Sequence, residues 1–148
     1  MNTSELMIGD WVRLKTDIDT EYYVDHVVPG QVIRVTEILD NSINPRWCSA
    51  EVGDAILDSD IEPVPLTWET LLKSGFIEKH PESAKRTYLK DPLNRIIVHK
   101  NRGVPYFEIT GNPKEFGWFC PRFQGHVYHV HELQHILRAC RIDMEISL

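Results

Sequence analysis

His131-Glu132-Leu133-Gln134-His135 places two histidines four residues apart, with a glutamate directly after the first. On a helix this spacing puts both imidazoles on one side, where they can hold a zinc ion while the glutamate takes a proton from the metal-bound water. The chemistry would be metal-dependent hydrolysis. His131 and His135 would be ligands, Glu132 the general base, and one of His126, His129 or Glu145 the third ligand.

The helix that must position these groups argues the other way. At 100° per residue, Val130, Leu133, Ile136, Leu137 and Cys140 fall on one apolar face centred near Leu133 and Leu137. The side carrying His131 and His135 lies roughly 160° from that centre, so both histidines are expected in water. A catalytic zinc needs three protein ligands in a shaped, partly dry cavity with partners that orient the imidazoles. The familiar longer signature has a glycine and a third histidine where this chain has Arg138 and Arg141. The segment therefore reads as a surface helix over 130–141. No catalytic residue, metal or cofactor is assigned, and the zinc-dependent hydrolase is kept as the alternative.

The rest of the composition narrows the function classes. The 148 residues suffice for one domain or two small ones, and 42% hydrophobic with 26% charged residues is ordinary for a globular chain. A formal charge of −6 argues against a surface that neutralises phosphates through net positive charge, so nucleic acid is not an expected partner. Lys85, Arg86, Arg95, Lys100 and Arg102 form the densest positive stretch, yet acidic residues adjoin it and it reads as a solvated face. Cys48, Cys120 and Cys140 form no CxxC pair or even framework, which suits a reducing compartment. With no leader-like start and no apolar run long enough to span a bilayer, the expectation is a cytoplasmic protein without membrane contact. No phosphate loop, dinucleotide fingerprint or GxSxG elbow is present, and Asp17, Asp19 and Glu21 lack the spacing of a calcium loop.

Along the chain the fold class reads as α+β. Residues 1–62 are expected to form a small SH3-like β-barrel. Its strands would lie at Trp11–Lys15, Gln31–Ile38, Trp47–Val52 and Ala55–Leu57, with a Pro29-Gly30 turn. Pro63 and Pro65 mark a boundary. Residues 63–148 are expected as an α+β unit packed with the barrel: a small antiparallel sheet carrying two helices. The first helix, about 67–75, is capped by Thr67 and ended by Gly75. Strands follow at Thr87–Leu89, Ile96–His99 and Val104–Ile109, then at Phe116–Phe119 and Val127–Tyr128. The second helix is that over 130–141, before a short terminal strand, Met144–Leu148.

The aromatic cluster Phe116, Trp118, Phe119, Phe123 and Tyr128 is expected mostly in the core, with Trp118 partly exposed. Trp118, with Tyr22 and Tyr23 in the polar loop of the first unit, gives the candidate partner contacts.

Three anchors carry a resemblance over nearly the whole chain. They are Glu5-Leu6-Met7-Ile8-Gly9-Asp10-Trp11-Val12; Ile61-Glu62-Pro63-Val64-Pro65-Leu66-Thr67 with Leu71-Leu72-Lys73-Ser74-Gly75-Phe76; and Val130-His131-Glu132-Leu133-Gln134-His135 with Met144-Glu145-Ile146. Together they resemble a family of proteins from Bacteroidales gut bacteria and their phages. That family brings no activity or catalytic residue to carry over, and its helix pattern often has Asn where this chain has His135. The expected function is a non-enzymatic binding or accessory protein of a bacterial or phage genome, with a protein as possible partner. A nucleic-acid accessory factor is a further alternative.

Overall fold

The computed structural model describes the chain apart from residues 1–5, 21–22, 24–26, 40–46, 51–54, 80–87, 92, 94, 102–103 and 118; of residues 39, 47–50, 58, 88–89 and 100–101 the backbone alone is described. The chain divides into two compact units, Met1–Val64 and Pro65–Leu148.

In the first unit five antiparallel strands follow one another: β1 (Trp11–Leu14), β2 (Val32–Leu39), β3 (Trp47–Ala50), β4 (Ala55–Leu57) and β5 (Ile61–Pro63), in sheet order β4-β3-β2-β1-β5. A 3₁₀ turn over Asp58–Asp60 links β4 to β5, which returns to pair with β1. The long strand β2 serves two partners. Its start, Val32 to Arg34, pairs with β1; Val35 to Leu39 pair with β3, and a bulge falls between Val35 and Glu37 within that second pairing. A bulge bends and twists a strand, which lets one sheet fold over its own apolar residues. Leu6, Val12, Leu14, Ile33, Val35, Ile56 and Ile61 form the resulting core. At its entrance Asp10 is fully buried and its Oδ2 accepts the Met7 N–H at 2.8 Å, across a turn in which Gly9 takes a φ of 88°.

The second unit opens with helix α1 (Trp68–Lys73), whose N-cap Thr67 accepts the Thr70 N–H; Gly75, at φ 86°, ends it as the spacing predicts. Then come β6 (Ile77–Lys79), β7 (Tyr88–Lys90), β8 (Ile96–Asn101), β9 (Val104–Thr110) and, after the short helix α2 (Pro113–Phe116), β10 (Arg122–His126). They pair in sequence order as an antiparallel meander. Helix α3 (Val130–Ala139) follows, ending in a Schellman motif: Ile142 N–H bonds Leu137 O and Arg141 N–H bonds Arg138 O, both at 2.9 Å. Arg141 therefore stands outside the helix, in a left-handed conformation at φ 49°.

Three expectations need correction. Phe116–Phe119 is not a strand: Asn112 caps α2, with Pro113 at its first position and Gly117 at its end. The last strand is Arg122–His126 rather than Val127–Tyr128. Met144–Leu148 joins no ladder among the described residues; Ile146 is buried, and Ser147 N–H bonds the Ser74 hydroxyl after α1 at 2.9 Å. An alternating pattern of only five residues cannot distinguish a strand from an extended tail that docks one side chain.

Strand alternation decides what the second sheet offers. Ile96, Val98, Phe107 and Ile109 are buried, as are Leu71 of α1 and Val130, Leu133 and Leu137 of α3. The opposite positions, Ile97, His99, Tyr106 and Glu108, stay partly exposed. One face is sealed and the other wet, which is the α+β arrangement. Among the described residues no helix is long and apolar enough to cross a membrane.

Candidate functional site

The glutamate of the HExxH match is the third residue of α3, and its carboxylate turns back to the helix start. Its Oε2 accepts the N–H of Tyr128 at 2.9 Å and of His129 at 3.2 Å, while Oε1 lies 3.0 Å from His129 Nδ1. A glutamate here satisfies backbone donors that the first helical turn leaves without partners. Burial alone would raise its pKa; the His129 side chain and the two backbone N–H groups outweigh burial and hold the carboxyl below the ordinary glutamate value. A general base at neutral pH is tuned the other way.

His131 overturns its expected position. It is buried, 5% exposed, as is Gln134. The buried stripe of α3 comprises Val130, His131, Leu133, Gln134 and Leu137, and its centre lies roughly 60° from that of the apolar residues, towards His131. Counting apolar side chains alone misses Gln134 and so misplaces the stripe. The His131 ring stacks on His129, with centroids 5.6 Å apart and planes 17° apart, and meets His135 edge-on at 5.7 Å. His126 lies on β10 and Glu145 is exposed in the C-terminal tail. Among the described residues, no three His, Cys, Asp or Glu side chains are grouped so as to hold a metal ion. With Glu132 committed to the cap and Arg141 beyond the helix end, these residues do not fit a catalytic zinc.

The histidines instead belong to a row of rings. His99, Tyr106, His126, Tyr128, His129, His131 and His135 follow one another with successive centroids 5.3–6.4 Å apart. The sheet lays down the first part of this row. Lys79, Tyr88, His99, Tyr106 and His126 align in register across all five strands, and Ile77, Lys90, Ile97, Glu108 and Gln124 align in the neighbouring row. Directly paired residues of antiparallel strands point to the same side, so the described side chains of both rows lie on the wet face. Thr110 and Arg122 add a third pair there. Glu108 Oε1 sits 3.2 Å from His99 Nε2. The row then leaves β10 through Tyr128, exposed, and reaches the start of α3. A depression of about 210 Å³ at the β9–β10 pairing, lined by Glu108, Thr110, Arg122 and Gln124 among others, is smaller than the roughly 300–1,000 Å³ of small-molecule pockets.

Sequence reasoning missed this row, although the alternation of Tyr106 and Glu108 with Phe107 and Ile109 signalled which residues face outwards. The aromatic cluster expected in the core is not buried: Phe116 and Phe123 are partly exposed, Tyr128 is exposed and Phe119 is 91% exposed. The sealed face is occupied by Ile96, Val98, Phe107 and Ile109, and Phe107 is the one phenylalanine of the strands buried there among the described residues. Phe123 instead lies along its own strand over Gly125, where an added Cβ would come within 3.2 Å of the ring. Of the candidate contacts, Trp118 and Tyr22 lie outside the described residues. Tyr23 is half-buried, packs on the core of the first unit and donates its hydroxyl to Asp60. Cys140 is buried and its thiol pushed up by desolvation, which disfavours a nucleophile. Compared with protein-family models, with curated proteins and with solved structures, the chain matches none.

Proposed function

We propose that this chain is a non-enzymatic binding or accessory protein of a bacterial or phage genome, and that its ligand surface is the wet face of the second sheet. The observation that carries this reading is the placement of Glu132, whose carboxylate caps α3 while the exposed rings line the sheet beside it. The three sequence anchors support the bacterial or phage origin. The first unit we take to be SH3-like, supported by the meander β1 to β4, the 3₁₀ turn before β5, the return of β5 to β1 and the bent, shared β2.

The test is the zinc content of untagged protein, measured by elemental analysis beside the His135→Ala variant. Zinc well below one equivalent, unchanged in the variant, is expected. One equivalent of zinc that His135→Ala removes would replace this reading with the hydrolase.

A further inference from the structure

We infer that the wet face of the second sheet binds single-stranded RNA, an inference that rests on the binding-protein reading and names its ligand. The face combines the two features that such a ligand requires. It has ring surfaces on which unpaired bases stack: Tyr106 and His126, 5.3 Å apart, with His99 on one side and Tyr128 on the other. It also has local positive charge that the net −6 conceals. Lys79, Lys90 and Arg122 lie in the paired rows of this face, where Glu108, 3.2 Å from His99 Nε2, is the one carboxylate among the described residues of those rows. Adjacent strands lie about 4.8 Å apart, and the rings on them are tilted or edge-on to one another, at 51° for His99 and Tyr106 and 78° for Tyr106 and His126, so they offer separate surfaces rather than one pocket. The small volume of the neighbouring depression fits an extended ligand lying on the surface better than an enclosed one.

RNA is favoured over DNA by the polar groups in the second and third rows. Glu108, Gln124 and Thr110 stand beside the rings. The Gln124 amide oxygen and the Thr110 hydroxyl can accept a hydrogen bond from the ribose 2′-hydroxyl, a donor that deoxyribose lacks.

The experiment uses the full chain and a fluorescently labelled ten-nucleotide RNA of mixed sequence, followed by anisotropy at 50 and 200 mM salt. Binding is expected, weakening roughly twentyfold over that interval if about three phosphates are neutralised. Tyr106→Ala is expected to weaken it by about fivefold or more, and Arg122→Ala to flatten the salt dependence. Lys73→Ala, on α1 away from this face, should bind as the unchanged protein does. DNA of the same sequence should bind more weakly. Because Tyr106 is half-buried, thermal melting accompanies each variant; Arg122 is exposed and tests the face without risk to the fold. Absence of RNA binding at 50 mM salt, equal binding of DNA, or wild-type binding by both Tyr106→Ala and Arg122→Ala would overturn the inference. Any of these with sub-stoichiometric zinc leaves the binding-protein reading in place, whereas one equivalent of zinc lost in His135→Ala overturns that reading and this inference together.

Discussion

The two units each build a five-stranded antiparallel sheet, yet they reach a core by different routes. In the first, β2 pairs with β1 through its start and with β3 through its later residues, and the buried apolar cluster comes from the strands and the segments beside them, with no α-helix among its described residues. In the second, the strands pair in plain sequence order, and α1, α3 and the segments beside them, including Phe76, Val127, Ile142 and Ile146, supply further buried apolar groups. The difference teaches where a binding face can arise. A sheet covered by helices on one side keeps its other side for contact.

The contrast between the two faces of the second sheet can be broken most forcefully in its core. Leu133→Ala should cost about 3–4 kcal/mol in urea denaturation, since it removes a fully buried side chain with little room to collapse. Ile97→Ala, on the wet face, should cost well under half of that. Equal losses would mean that both faces are covered. The units can be compared next through the aspartate each one buries. Asp91 holds the turn before β8 with two bonds, accepting Ile96 N–H at 2.8 Å and Leu93 N–H at 3.2 Å, and Arg95 lies nearby at 4.0 Å. Asp10 has the Met7 N–H and a turn of its own. Asp91→Ala and Asp10→Ala are each expected to cost about 1–3 kcal/mol in urea denaturation, because each removes a carboxylate that accepts backbone N–H groups.

The smallest effect concerns the α3 cap. Glu132→Ala should cost about 1 kcal/mol near neutral pH. The folded state lowers the pKa of this carboxyl, so its contribution is fully present above the unfolded value and is lost as pH falls through the folded one. The gap between Glu132→Ala and the unchanged protein should therefore shrink in acid, below the ordinary glutamate range. A gap that persists at pH 2 would show that the side chain acts through packing rather than through its charge.

Much of the backbone was legible in the residues. Thr67 and Gly75 bracket α1, and Val104–Ile109 announces β9 by strict alternation. What escaped was whatever depends on neighbours distant in sequence. The burial of His131 depends on where Gln134 goes, and an isolated helical wheel cannot weigh a polar residue that finds a place inside. The exposure of Phe119 and Tyr128 depends on the sealed face being filled already by Ile96, Val98, Phe107 and Ile109. The ring row depends on register, and its members are scattered between His99 and His135, so no local pattern could reveal it.

The location of Glu132 bears on how sequence signatures are read. Helix starts select for a glutamate three places after the cap, and here that preference supplies the middle letter of a protease signature while the histidines come from a ring row and a helix flank. Two unrelated demands thus spell one word. Asking whether the glutamate of such a match sits in the first turn or deeper along the helix would separate spelling from meaning before any assay is run.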